Sequence, residues 1–157
     1  MEFPKRKSTR LKDYDYSRTG AYFITICTQG KKCILSRIVG EGFHALPKIE
    51  LTTIGKEIEK SICYINANYF GVAIDKYVIM PNHLHLIVVL DNTGGDGTPP
   101  LQNIIGQLKS YTTNKFGGCL WQRSYHDHII RGKEDYNKIW EYIDTNVLRW
   151  EQDCFYK

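Results

Sequence analysis

Two histidines separated by one residue, His83 and His85, are the side chains in this sequence best suited to chemistry. They open an apolar run, and the run before them ends at Pro81-Asn82, a pair that suits the centre of a tight turn between two strands. Strand side chains two residues apart project from one face, so the two imidazoles lie side by side. Neighbouring imidazoles can hold a divalent metal, although an isolated His-x-His pair is more often solvated or hydrogen-bonded.

The apolar pattern around this hairpin alternates between strand and helix periods and predicts the fold class. The predicted elements are a strand over 21–28, a helix over 51–68, the two hairpin strands, a helix from Thr98 to about Gly117, a strand over 124–131 and a helix over 133–150. This order predicts an α+β, ferredoxin-like (RRM-like) antiparallel sheet with helices on one face and an added C-terminal helix. A short returning strand is expected over 33–39, and a loop over 40–50.

Length and charge indicate one basic domain. The 157 residues are enough for a single domain with a substantial core, so we expect one domain over 1–157. The net charge is only +4, but six basic residues crowd an N-terminal arm over 1–19. A basic arm interleaved with aromatic residues suits a polyanion such as nucleic acid, and a solvated tail is an equally good interpretation.

The five cysteines are odd in number and form no Cys-x-x-Cys pair, which argues against a disulfide framework and a structural zinc site. Buried, reduced thiols in a cytoplasmic protein fit better. The first residues are charged, and the longest apolar run is Leu84–Leu90, so we expect no targeting or membrane-spanning segment.

The last predicted helix carries a second set of polar groups. Tyr142 and Asn146 are four residues apart and therefore share one helix face. If that face covers His83 and His85, the tyrosine becomes a nucleophile and the asparagine a third metal ligand. One tyrosine among eleven is by itself weak evidence.

Four ordered stretches carry a resemblance to a known family. They are Pro81-Asn82-His83-Leu84-His85; residues 6–16 leading into 20–23; residues 120–125 with 127–131; and Glu141-Tyr142-Ile143 with Asn146. Together they resemble the REP-associated tyrosine transposases, a bacterial branch of the single-tyrosine HUH transposases. The resemblance spans nearly the whole chain.

The resemblance implies a transposase domain that cleaves single-stranded, hairpin-bearing DNA and transfers the strand through a 5′-phosphotyrosine intermediate. It implies Tyr142 as the nucleophile, His83 and His85 as ligands of Mg²⁺ or Mn²⁺, and Asn146 as a third ligand. The expected partner is DNA with REP-like hairpins in the bacterial cytoplasm. Family members include monomers and homodimers, so the assembly stays open.

DNA contacts are expected from basic and aromatic side chains near these motifs. The candidates are Lys7, Arg10, Lys12, Lys109, Trp121, Gln122, Arg123 and Arg131. Core packing is an equally good interpretation of Trp121. His126 and His128 form a second His-x-His pair, for which a hydrogen bond at His128 is favoured over metal binding.

The sequence departs from the family pattern at two places. Relatives often have proline after the asparagine matched by Asn146, whereas Val147 follows here, so the helix is expected to run straight to Trp150. The sequence stops at Lys157, which argues against tail-mediated regulation of the kind some relatives carry.

The rival hypothesis is a catalytically inactive or domesticated protein that only binds single-stranded nucleic acid.

Overall fold

The computed structural model describes residues 10–40, 45–92 and 97–156. The expected contact at Lys7 lies outside these residues. The elements are β1 (Gly20–Cys27), β2 (Ser36–Val39), β3 (Lys48–Leu51), α1 (Thr53–Asn68), β4 (Val72–Ile79), β5 (His83–Leu90), α2 (Leu101–Phe116), β6 (His126–Ile130) and α3 (Gly132–Asp144). Two 3₁₀ segments, Gln29–Lys31 and Asn146–Gln152, follow β1 and α3.

The fold is mixed α+β, as expected, and its centre is a four-stranded sheet. The strands lie in the order β4-β5-β1-β6, and every neighbouring pair is antiparallel. β5 is a central strand that pairs with β1. His83 pairs with Cys27, and His85 pairs with Thr25. The two histidines therefore lie on a central strand, at one end of the sheet.

One face of the sheet is covered by α1 and α2. Alternate residues of the central strands, such as Ile24 and Leu86, pack there with Ile58 of α1 and Ile104 of α2. Burying these aliphatic side chains removes apolar surface from water and is the main source of stability. The helices begin and end cleanly: the Thr52 hydroxyl accepts a hydrogen bond from the first turn of α1 at 3.2 Å.

The other face of the sheet is covered by α3. Ile143 of this helix is buried against Val78, Met80 and Ile87, which lie on β4, at its end and on β5. Odd-numbered residues of β5 point to this side, so His83, His85 and Ile87 share it. The helix that carries the candidate nucleophile therefore lies over the face that carries the histidine pair.

Several local predictions were wrong. Residues 40–50 contain β3, which pairs with β2 in a separate two-stranded sheet. Alternation of only four residues is too short a signal for such a strand. The helix expected from Thr98 begins at Leu101, with Pro100 at the cap position, and the Thr98 hydroxyl instead donates to the Asp91 carbonyl. Of the five cysteines only Cys27 is buried, and the other four are exposed thiols.

The C-terminal helix also ends earlier than expected. The α-helix stops at Asp144, and a 3₁₀ segment with a kink at Arg149 replaces the straight run to Trp150. The tighter turn folds residues 153–156 back toward the sheet, where the Phe155 carbonyl accepts a hydrogen bond from the Asn82 side chain.

In the described parts of the chain, no helix combines the length and apolarity that crossing a bilayer requires.

Two glycines of the helices give opposite predictions for the same substitution. A Cβ at Gly55 would lie 2.2 Å from the Leu35 carbonyl oxygen, whereas a Cβ at Gly106 would meet nothing within 4 Å. We expect Gly55→Ala to destabilise the fold by about 1–3 kcal/mol through overpacking. Gly106→Ala, the matched control, should stabilise it by about 0.5–1 kcal/mol. Urea unfolding of both variants checks this, and equal effects would contradict the packing at Gly55.

Candidate active site

The histidine pair is buried, and each ring has a hydrogen-bond partner at Nδ1. His83 and His85 have almost no exposed surface, and their ring centroids lie 4.5 Å apart. Nδ1 of His83 lies 2.9 Å from the Asn82 side-chain oxygen, and Nδ1 of His85 lies 2.8 Å from the Thr25 hydroxyl. Both Nε2 atoms are left to point away from the sheet.

Burial keeps both imidazoles neutral at ordinary pH. Desolvation lowers the pKa of His83 to about 4, although the Asp153 carboxylate and the Asn146 side chain oppose this shift. Desolvation also lowers the pKa of His85 well below its ordinary value, and the neighbouring His83 adds to the effect. A neutral imidazole offers a lone pair, which is the form that binds a metal.

Tyr142 lies at the mouth of this site. Its hydroxyl is 3.5 Å from Nε2 of His85, and its ring packs edge-on against Phe23 with centroids 6.0 Å apart. The side chain is 38% exposed, so its oxygen can meet a molecule arriving from solvent. Burial of the remainder, together with the charge of Asp153, raises the pKa of the phenol, which is therefore protonated at neutral pH. Tyr142 therefore lies beside the histidines of its own chain.

Asn146 and Asp153 bring oxygen atoms to the same place. Asn146 is the first residue of the second 3₁₀ segment and is buried. Its amide nitrogen donates to an Asp153 carboxylate oxygen at 3.3 Å, and that same oxygen lies 3.8 Å from Nε2 of His83. Ligand atoms of His83, His85 and Asp153 all lie within 4.8 Å of one another, a group compatible with a divalent metal.

Two buried atoms at this site have no hydrogen-bond partner among the residues that the structure describes. They are Nε2 of His83 and Oδ1 of Asn146. An unpaired buried polar atom is costly, so such atoms call for an explanation. Both are acceptors when His83 carries its proton on Nδ1, and a carboxylate lies beside them. Two unpaired acceptors beside a carboxylate fit a cation, so the residues present fit a metal ion.

Asp153 is the site residue that sequence reasoning missed. It lies eleven residues after Tyr142, beyond the span in which helical spacing could have placed it. The chain has seventeen acidic residues, and nothing in the sequence distinguishes this one. Its position depends on the 3₁₀ turn that replaces the expected straight helix.

The second histidine pair is not part of this group. His126 pairs with Thr25 across β1 and β6, and Thr25 pairs with His85, so the two pairs lie on the same sheet face one strand apart. Both His126 and His128 are exposed. Nε2 of His128 lies 2.9 Å from the Asp135 carboxylate, a hydrogen bond of the kind that was favoured for it.

The expected DNA contacts differ in how accessible the structure leaves them. Arg10, Lys12, Arg123 and Arg131 are exposed, and Gln122 is partly so. The Lys109 ammonium donates to the carbonyls of Gln122 and Arg123 at 2.7 and 3.1 Å, so it holds that segment in place. Trp121 is buried and its indole nitrogen donates to Thr112 at 2.8 Å, so its ring is not available for stacking on a base.

The exposed candidates fall at two ends of the sheet. Gln122 donates its backbone N–H to the carbonyl of Cys27, the residue that pairs with His83. Residues 120–123 therefore lie at the end of the sheet that carries the histidines. Arg131 follows β6 at the opposite end, where Ile130 pairs with Ala21. The Arg10 guanidinium lies 4.9 Å above the ring of Tyr125.

A relative from Haemophilus influenzae covers nearly the whole of this chain. No protein-family model matches it. An uncharacterised protein of Haemophilus influenzae is 35% identical over 175 aligned positions, which cover 96% of this chain and 93% of that protein. The chain belongs to the same family as the Haemophilus protein.

Solved structures relate the fold to transposases. A REP-associated tyrosine transposase bound to a REP hairpin superposes with a TM-score of 0.63 at 20% identity, over 89% of this chain and 73% of that one. A protein described as a candidate transposase from Deinococcus radiodurans gives 0.51 at 15% identity, over 87% and 95% of the two chains. The chain has the fold of a REP-associated tyrosine transposase.

The buried histidines make the metal-free protein sensitive to acid. Between pH 6.5 and about 4 the unfolded chain protonates His83 and the folded protein does not, so the unfolded state binds more protons. Stability should therefore fall as the pH falls through this range, by up to about 3 kcal/mol from this residue. Thermal unfolding of chelator-treated protein measures the effect. His83→Gln should show a shallower fall, and identical slopes would contradict the assignment.

Proposed function

We propose that this protein cleaves single-stranded DNA and rejoins it to another end, with Tyr142 as the nucleophile. This proposal is based on two buried acceptors without a partner among the described residues, Nε2 of His83 and Oδ1 of Asn146. They lie in the site that also contains the Asp153 carboxylate and the Tyr142 hydroxyl. A purely structural role would leave these acceptors unsatisfied at a cost in stability. The similarity in fold to a transposase that was solved with a REP hairpin supports DNA as the substrate.

The ligands in this proposal come from two parts of the chain. His83 and His85 supply imidazole nitrogens from β5, and the oxygen ligand comes from Asn146 or Asp153 after α3. Carboxylate and amide oxygens suit Mg²⁺ or Mn²⁺, the two ions that the family resemblance implies, and the imidazoles favour Mn²⁺ of the two, because nitrogen ligands suit transition metals. Such an ion, when bound, supplies positive charge that polarises the scissile phosphate.

The residues of the chain carry the remaining steps. The Tyr142 oxygen attacks phosphorus, forming the phosphotyrosine bond while the bond from phosphorus to the 3′ oxygen breaks. The phenol proton leaves to solvent at the exposed mouth of the site, and the departing oxygen takes a proton to become a free 3′-hydroxyl. One phosphodiester replaces another, so the reaction needs no external energy source and reverses when a second 3′-hydroxyl attacks the intermediate.

The finer features of the fold belong to the same proposal. The strand order β4-β5-β1-β6 supports a ferredoxin-like arrangement, with α3 as the added helix that carries the tyrosine. The exposed positions Arg10, Arg123 and Gln122 at the histidine end of the sheet support a path for the DNA strand. Lys12 and Arg131 would contact phosphates farther from the site.

Covalent trapping tests the nucleophile. Protein, Mn²⁺ and a hairpin oligonucleotide labelled at its 3′ end should give a labelled protein band on a denaturing gel, because the 5′-phosphate side stays on the tyrosine. Tyr142→Phe removes the attacking oxygen and should abolish the band. Tyr136→Phe, the same substitution one and a half turns earlier on α3, should retain it. A band of unchanged intensity from Tyr142→Phe would make the assignment wrong.

The same assay separates the two hypotheses. If no oligonucleotide gives an adduct, while DNA binding is unchanged by His83→Ala and by chelators, the protein is a nucleic-acid-binding module without nuclease activity. The unpaired buried acceptors favour the catalytic protein.

The two oxygen donors make different predictions for metal affinity. Asp153→Asn removes a charge 3.8 Å from Nε2 of His83 and keeps the shape, whereas Asn146→Asp adds a charge at the unpaired oxygen. We expect Asp153→Asn to weaken Mn²⁺ binding by about tenfold or more and Asn146→Asp to strengthen it. The reason is that a charged carboxylate binds a divalent cation more tightly than a neutral amide does. Isothermal titration calorimetry measures both, and an unchanged affinity in Asp153→Asn would leave Asn146 as the sole oxygen ligand.

A further inference from the structure

Asn82 occupies a turn between two strands, yet its side chain is completely buried. Turn residues normally face solvent, because turns run over the protein surface. Its backbone oxygen also accepts hydrogen bonds from the N–H and the hydroxyl of Thr28, at 3.0 and 3.1 Å. The turn geometry alone requires only a backbone conformation, so the buried amide serves something else.

The amide nitrogen of Asn82 fixes the orientation of the side chain. It donates to the Phe155 carbonyl at 2.7 Å and to the Lys31 carbonyl at 3.3 Å. Carbonyl oxygens only accept hydrogen bonds, so the nitrogen must face them. The side-chain oxygen of Asn82 is thereby turned toward His83.

This orientation determines where His83 carries its proton. Nδ1 of His83 lies 2.9 Å from the Asn82 oxygen, which can only accept, so Nδ1 must be the donor. Nε2 then holds the lone pair, and it is the atom that has no partner among the described residues. We propose that Asn82 is a positioning residue that locks His83 in the Nδ1–H tautomer and so presents Nε2 to the metal.

Thr25 provides the contrast at the other histidine. Its hydroxyl lies 2.8 Å from Nδ1 of His85 and can either donate or accept, so it orients the ring without selecting a tautomer. The selection is therefore specific to His83. It arises because two carbonyls from distant parts of the chain engage the Asn82 nitrogen.

The same amide connects the metal site to the C-terminal segment. Phe155, whose carbonyl accepts from Asn82, also stacks on His83 with ring centroids 4.5 Å apart. Its backbone N–H donates to the Asp153 carboxylate at 2.8 Å. One side chain thus sets the tautomer of a nitrogen ligand and anchors the segment that carries an oxygen ligand.

The inference rests on the proposed metal role of His83, but its first test needs no metal. In protein labelled with ¹⁵N-histidine at pH 7, long-range ¹H–¹⁵N correlations distinguish the two neutral tautomers of each ring. We expect His83 as Nδ1–H in the wild type. Observation of the Nε2–H tautomer at His83 in the wild type would overturn the proposal, whether or not the protein cleaves DNA.

Two substitutions then separate the tautomer lock from a merely structural role. Asn82→Ala removes the acceptor, so His83 should populate both tautomers and Mn²⁺ affinity by calorimetry should fall by about tenfold to a hundredfold. Asn82→Asp keeps an acceptor for Nδ1–H while losing both donations to carbonyls. It should keep the His83 tautomer and bind Mn²⁺ more tightly than Asn82→Ala does.

Thr25→Val is the matched control, since it removes the partner of His85 and should leave the His83 signals unchanged. Mn²⁺ affinity in folded Asn82→Ala equal to that of the wild type would overturn the proposal, as would a His83 spectrum that Asn82→Ala does not change. If Asn82→Ala fails to fold, the tautomer in the wild type and in Asn82→Asp decides. A wild type that binds no Mn²⁺ would refute the proposed function instead.

Discussion

The site depends on keeping two uncharged imidazoles buried side by side on a central strand of the sheet. Desolvation opposes their protonation, and each ring is oriented by a hydrogen bond at Nδ1, to Asn82 or to Thr25. The pairing of β5 with β1 places both rings on the face that α3 covers, where Ile143 and Ile87 exclude water beside them. A slip of one residue in this register would send both rings to the opposite core. The register between two strands therefore determines whether the two imidazoles lie on the face that α3 covers.

Much of this arrangement could be predicted from local pattern. Alternation and β-branched composition predicted β1 and β5, and helical periodicity predicted α1 and α2, because each of these elements buries one continuous apolar face. The histidine pair followed from a spacing of two on a strand, and the place of Tyr142 on the last helix from helical periodicity. These are the features in which neighbours in sequence are also neighbours in space. The expectation that Asn146 shares a face of that helix was wrong, because α3 ends at Asp144 and Asn146 begins the 3₁₀ segment.

What could not be predicted depends on contacts between distant segments. Asp153 reaches the histidines only because α3 ends at Asp144 and a 3₁₀ segment turns the chain back. β3 forms because β2 offers it a partner, with four residues on each side and little intrinsic preference. The burial of Trp121 follows from its hydrogen bond to Thr112 on α2. Such tertiary contacts override local propensity and leave no periodic signal.

The unequal burial of the site residues fits a division of labour. The histidines are sealed from water, which strengthens electrostatic interactions there and keeps the lone pairs available. Tyr142 is partly open, and its phenol has a raised pKa, so its oxygen is a poor nucleophile in the protein alone. A deprotonated tyrosine at this position would sit beside Asp153, and two negative charges repel. The proposed nucleophile is therefore inactive until positive charge enters the site. This property suits the proposed reaction, in which the strand is cut only when the complete complex has assembled.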